Sequence, residues 1–197
     1  MERVKRNLDF EIRSKSGGEG ETCIVEGYAA KFNTETVLFE YNSYSRGKVE
    51  YREKIDQNAF DECDMKDVVM LYDHEGRVLA RTSNNTLTLT IDDVGLKVRA
   101  DLSGTQLGRD VFAEIRDGYV TKMSFSFTID EEKNEQATTY DLRTITKVKR
   151  LHDVSAVSIP AYDDTSINAR SLEEAEKAAA SKAEKELKRR RLLIRLS

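Results

Sequence analysis

Apolar and polar residues alternate with a period of two through much of the first 170 positions, the spacing of strands with one buried face. Residues 23–32 (CIVEGYAAKF) and 48–55 (KVEYREKI) read as β-rich segments separated by a stretch containing Asn, Ser and Gly. Residues 86–91 alternate Thr with Leu or Ile. Asp92-Asp93-Val94-Gly95 then supplies turn chemistry, and residues 96–102 alternate back, which predicts a β-hairpin. The period changes once inside this region. Leu107, Val111 and Ile115 fall on one helical face, with Thr105 as the N-cap and Gly118 just past the end. Strands are expected again over 119–129, 140–147 and 151–158, with a polar loop at 130–138 (DEEKNEQAT). Pro160, the single proline, stops the last strand because it cannot donate to a ladder.

From Ser171 the pattern is different. Residues 171–197 contain no Gly, Pro or β-rich block and are full of strong helix formers. Glu173–Lys177 and Glu184–Lys188 have the spacing of supporting ion pairs on a solvated helix. Charge divides at the same place. The tail holds 8 Lys and Arg against 5 Asp and Glu, a net +3, whereas the remainder holds 24 against 31, a net −7. The expected organisation is a mainly β domain over residues 1–170, with a few helices, and an appended charged helical tail over 171–197.

Composition narrows the function classes. At 35% charged residues the chain reads as soluble, and no apolar run approaches the roughly 18 residues that span a bilayer. The basic N-terminus has no apolar segment behind it, so no signal peptide is expected. Cys23 and Cys63 lack CxxC spacing and suggest reduced thiols in a cytosolic compartment. Two His and two Cys, widely separated, match no zinc pattern, and no phosphate-binding glycine loop is present; no metal and no cofactor are expected. The run Lys188-Arg189-Arg190-Arg191 fits a solvated helix end better than a nucleic-acid contact, because the main body is acidic.

The sharpest chemical clue is the scarcity of histidine. His74 follows the apolar run Val68-Val69-Met70 in Leu71-Tyr72-Asp73-His74, so it is expected at a strand end. Fifty residues later, Met123-Ser124-Phe125-Ser126-Phe127 alternates two hydroxyls with three large apolar side chains. A serine hydroxyl becomes a nucleophile when an adjacent base takes its proton. The same alternation also suits a half-buried strand that shows its serines to solvent. Asp153 could orient the imidazole, with its neighbour His152 as the alternative; successive strand residues face opposite ways, so only one of the two can face the site. Lys122, on the face of Ser124, leaves a Ser–Lys pair open, which would require a desolvated lysine.

These segments resemble, in order, the blocks of the prohead (capsid maturation) proteases of tailed bacteriophages. Glu26-Gly27-Tyr28-Ala29-Ala30-Lys31-Phe32-Asn33 is similar to the family's opening strand, and residues 55–60 (IDQNAF) to its next block, with Asp56-Gln57-Asn58 in place of the usual Pro-Gly character. Tyr72-Asp73-His74 resembles the catalytic His block, and Leu107-Gly108-Arg109-Asp110-Val111 through Gly118 the helix that leads to the nucleophile. Met123-Ser124-Phe125-Ser126-Phe127 resembles the nucleophile block, with Ser126 at a usual Gly. Asp153-Val154-Ser155 with Pro160-Ala161-Tyr162 resembles the last block, with Asp where Glu is common.

The resemblance implies a closed, mostly antiparallel β-barrel of the herpesvirus assembly-protease type, wrapped by a few helices. It implies a serine endopeptidase with Ser124 as nucleophile, His74 as base and Asp153 as orienter. His152 stays as the alternative third member, since herpesvirus relatives use His there. Oxyanion donors are expected among backbone N–H groups, with Arg77 and Arg81 as side-chain candidates. The implied substrates are the major capsid protein and its scaffold segment inside an assembling procapsid in the host bacterial cytoplasm, followed by self-cleavage. A homodimer is compatible with this reading; a membrane or nucleic-acid partner is not expected. A catalytically silent barrel that binds scaffold is the alternative from another class.

Overall fold

The computed structural model describes residues 3–15, as backbone, and residues 23–158. The elements are β1 (Arg3–Lys15), β2 (Ile24–Lys31), β3 (Thr36–Ser43), β4 (Gly47–Ile55), β5 (Val69–Tyr72), β6 (Glu75–Arg81), a 3-10 turn (Thr82–Asn84), β7 (Leu87–Ile91), β8 (Gly95–Asp101), α1 (Gln106–Arg116), β9 (Lys122–Gln136) and β10 (Tyr140–Val157). The fold is therefore mainly β, with one α-helix among the described residues. That helix is not long and apolar enough to cross a membrane. The expected tail over 171–197 and its boundary with the β domain lie outside the described residues, as does Pro160.

The hydrogen-bonded path runs β3-β4-β10-β9-β1-β2-β8-β7. β10 also pairs with β5, and β5 with β6. One edge of β10 is taken by β9 along its length, antiparallel. The other edge is shared: β4 lies parallel to Tyr140–Ile145 and β5 parallel to Asp153–Ala156.

This corrects the expected closure into a barrel, because the sheet path is open. The pairings are mostly antiparallel as expected, the exceptions being those of β4 and β5 with β10. Between β6 and β7 the chain makes a local turn, whose ends still bond outward: Thr82 N–H donates to the Val68 carbonyl at 3.0 Å, and the Thr86 carbonyl accepts from Asp101 N–H at 2.8 Å. Arg81 N–H donates to Thr86 Oγ1 at 2.8 Å, Thr86 N–H to Asn84 Oδ1 at 3.1 Å, and Asn85 sits in the left-handed region at φ 62° to close the 3-10 turn.

Two further expectations change. The stretch read as a polar loop continues as strand: β9 runs to Gln136, and its outer half is exposed. It pairs in register with β10, from Asp141 opposite Gln136 to Ile145 opposite Glu132. Arg143 bridges this arm by pairing with Glu132 on β9 and reaching Glu53 on β4 at 3.7 Å. Accordingly, 140–147 and 151–158 are not two strands but the single β10, whose ladder is interrupted by register shifts. β1, β3 and β6 have no counterpart among the expected strands.

The core is filled by Phe60, Met70, Leu96, Leu102, Met123, Phe125, Phe127, Ile145 and Leu151, all essentially without exposure. Phe125 and Phe127 stack with ring centroids 4.7 Å apart, and Phe60 packs on Phe125 at 6.4 Å. Full burial of such side chains stabilises by about 1.5–3 kcal/mol each.

α1 adds Val111, Phe112 and Ile115 to this core. Its start is as the sequence predicts: Thr105 Oγ1 accepts from Gly108 N–H at 3.0 Å. Gly108 also lets the helix approach the preceding turn, because a Cβ there would lie 2.2 Å from the Leu102 carbonyl oxygen. In an open helix, Gly→Ala stabilises by about 1 kcal/mol. Here Gly108→Ala is expected to lower the melting temperature, with a loss of about 1–3 kcal/mol from overpacking; thermal denaturation followed by circular dichroism measures it.

Candidate active site

Directly opposed residues of an antiparallel pair project to the same face of the sheet. On β9 and β10 the pairs Met123–Ala156, Phe125–Val154 and Phe127–Leu151 are buried in the hydrophobic core. The intervening pairs, Ser124–Ser155 and Ser126–Asp153, share the other face. That face is buried too. Ser124, Ser126, Asp153 and Ser155 have no exposure. The reading in which the serines of this strand point to solvent is thus excluded.

Between Leu151 and Asp153, β10 carries one residue more than β9 opposite it. His152 is the extra residue of a β-bulge, the irregularity that re-aims side chains beside a ladder. Without the shift, Asp153 would share a face with Leu151, in the core. The bulge also removes the expectation that only one of His152 and Asp153 can lie on the serine face. The His152 Nε2 is 2.8 Å from the Thr128 Oγ1, and Thr128 is two residues beyond Ser126 in an uninterrupted stretch of β9. His152 therefore leans along that face toward Thr128, while Asp153 turns to His74.

His74 arrives from the neighbouring hairpin. β5 runs parallel beside β10, from Val69 opposite Asp153 to Tyr72 opposite Ala156. Tyr72 then pairs with Glu75 across a two-residue turn, Asp73-His74, in which both residues have positive φ, 49° and 61°. This is the backbone that a tight hairpin demands. The ring reaches both partners from there. His74 Nδ1 lies 2.5 Å from Asp153 Oδ1, and His74 Nε2 lies 2.5 Å from Ser124 Oγ. Three adjacent strands or strand ends, β5, β10 and β9, each contribute one member.

The hydrogen-bonding inventory assigns the protons. An ionised Asp153 only accepts, so Nδ1 carries the proton and donates, leaving Nε2 to accept from the Ser124 hydroxyl. Ser155 completes the carboxylate's surroundings: its Oγ donates to Asp153 Oδ1 at 2.9 Å and stands 3.3 Å from His74 Nδ1. The His74 side chain is only 6% exposed. A hydroxyl, an imidazole and a buried carboxylate thus form one hydrogen-bonded chain screened from bulk water. Such a chain can draw a proton from the hydroxyl and stabilise the imidazolium that results.

The other sequence candidates are placed differently. Lys122 is half-buried at the start of β9, opposite Val157. Arg77 is exposed on β6. Arg81 is turned to Asp67, which accepts from its Nε at 2.7 Å and its Nη2 at 2.5 Å; this pairing holds the Asp67 carboxyl down at about 2. Burial pushes the Cys63 thiol up to about 11, so it carries little thiolate at neutral pH. Among the described residues, no group of three or more His, Cys, Asp or Glu side chains is placed to hold a metal ion.

Sequence reasoning gave no role to Ser155 or to the bulge. The signal for the bulge was present: Leu151 and Val154 are core residues three apart, a spacing that breaks strand alternation. No curated protein and no solved structure matches the chain. A family model described as caudovirus prohead serine protease matches residues 8–178, and the chain belongs to that family.

Proposed function

We propose that this member of the prohead serine proteases cleaves peptide bonds in the capsid protein and its scaffold segment inside the procapsid, with Ser124 as nucleophile, His74 as general base and Asp153 as orienter. The observation that carries the reading is the unbroken chain from Ser124 Oγ through both ring nitrogens of His74 to Asp153 Oδ1, with two contacts of 2.5 Å. His74 Nε2 takes the hydroxyl proton as Ser124 Oγ attacks the scissile carbonyl. The developing imidazolium is stabilised by Asp153, which is itself held by Ser155. The proton then passes from Nε2 to the leaving amine, and water, activated by the same imidazole, releases the acyl group. Because Ser124 has no exposure, a substrate segment must displace whatever covers the serine face before attack.

Asp in place of the family's common Glu is compatible with the same role. A carboxylate one methylene shorter still reaches His74 here, because the bulge at His152 and the tight turn bring β10 and the ring together. His152, held toward Thr128, is the weaker choice for third member. The charged segment over 171–197 is assigned to docking on the assembling shell or to removal by self-cleavage, with its positive charge opposing the negative main body.

The test is co-expression with the capsid protein of the same phage. Ser124→Ala should abolish capsid-protein shortening, since losing a triad nucleophile typically removes on the order of 10⁶ in kcat. Ser126→Ala should leave shortening largely intact. Normal processing by Ser124→Ala contradicts the assignment.

The third member is tested separately. Asp153→Asn should cut the rate by about 10⁴-fold while the protein still folds, and His152→Ala should cost far less. The opposite order, measured as initial rates on purified capsid protein, would transfer the role to His152.

A further inference from the structure

Two consecutive non-glycine residues in the left-handed region make an uncommon turn for a hairpin that must hold a functional side chain in place. Asp tolerates this conformation through its short polar side chain; His does so less often. β5 offers little support of its own. It has four residues, all of them paired with β10, and the register ends at Tyr72 opposite Ala156. His74 lies two residues past that last rung, on the side of the turn leading into the exposed first half of β6. Some contact has to fix the turn on β10, because β10 carries Asp153 and borders the strand of Ser124.

Asp73 makes that contact at three atoms. Its backbone N–H donates to the Ala156 carbonyl at 2.9 Å, extending the β5–β10 ladder by one step. Its carboxylate then grips the residue that follows β10: Oδ1 accepts from Ser158 N–H at 2.9 Å, and Oδ2 accepts from Ser158 Oγ at 2.8 Å. All three partners belong to the segment that begins with Asp153 and Ser155.

We propose that Asp73 is a positioning residue, whose carboxylate clamps the Asp73-His74 turn to the end of β10 and so sets the reach of the His74 ring to Asp153 and Ser124. The proposal rests on the reading of Ser124 and His74 as nucleophile and base. The Asp73 carboxylate bonds to Ser158, and in this reading it acts only through where His74 stands. Small displacements of an aligned base are costly: about 1 Å can lower a rate by about 10²-fold.

A plain turn residue and a clamp respond oppositely to glycine. Asp73→Gly keeps the left-handed backbone, and relaxes it, but removes both carboxylate contacts. Asp73→Asn keeps the backbone preference and an oxygen to accept from Ser158 N–H. Ser158→Ala leaves the turn sequence untouched and removes only the hydroxyl contact.

The experiment measures the rate at which a fluorophosphonate labels the purified full chain, with melting temperatures alongside. In this reaction the activated serine oxygen displaces fluoride from phosphorus, so its rate reports the serine–imidazole pair without any assumption about cleavage sequence. Expected rates are within about twofold of wild type for Asp73→Asn, several-fold lower for Ser158→Ala, and about 10-fold or more lower for Asp73→Gly. Asp73→Gly and Ser158→Ala both labelling at the wild-type rate would overturn the clamp, as would Asp73→Asn falling as far as Asp73→Gly. Ser124→Ala serves as the blank. Undiminished labelling of that variant would overturn the underlying reading, a result distinct from failure of the clamp alone.

Discussion

The site depends on the register between β9 and β10. That ladder decides which side chains share a face, and both of its faces are dry. On one face Met123, Phe125 and Phe127 meet Val154, Ala156 and Leu151 in the core. On the other, Ser124, Ser126, Asp153 and Ser155 are packed without exposure. Apolar burial on the first face fixes the register, because a slip of β9 by one residue would carry Met123, Phe125 and Phe127 out of the core and Ser124 and Ser126 into it. The polar face takes its geometry from that constraint. Its residues need not stabilise the fold; they need only be satisfied, and hydrogen bonds among Ser124, His74, Asp153 and Ser155 link three of them through the imidazole.

The carboxylate shows why the register includes a defect. A regular strand would set Asp153 on the face of Leu151, among phenylalanines, where an unpaired charge would be very costly. One extra residue, His152, moves it to the serine face. The parallel docking of β5 against the same stretch then delivers His74 from the side. Local irregularities, a bulge and a left-handed turn, do the positioning that straight strands cannot. Both are anchored by side-chain hydrogen bonds, His152 to Thr128 on β9 and Asp73 to Ser158 just past the end of β10.

Much of this was legible in the sequence, for identifiable reasons. Strong period-2 alternation gave the β7–β8 hairpin, and Thr105 and Gly118 bracketed α1. The scarcity of histidine drew attention to His74, and alternating hydroxyls to Ser124. What could not be read is equally specific. The outer half of β9 carries almost no apolar residue, so its strand is built from cross-strand pairing and ion pairs such as Arg143 with Glu132, which leave no periodic trace. That the sheet stays open has no local signature either, because it depends on which distant strands its end strands meet. The parallel placement of β4 and β5 on one edge of β10 is a long-range choice with no local signature. The bulge did leave a trace, in the three-residue step from Leu151 to Val154, but a strict alternation rule passes over it.

The central claim is that this dry polar face activates one particular serine, Ser124, of the three that share the face of the Asp153 carboxylate. It is tested most directly by treating the purified chain with a fluorophosphonate and mapping the adduct by peptide mass spectrometry, in wild type and in His74→Ala. The account predicts a single adduct on Ser124 that disappears when His74 is replaced. An adduct on Ser126 or Ser155, or one on Ser124 that persists in His74→Ala at the wild-type rate, would contradict it.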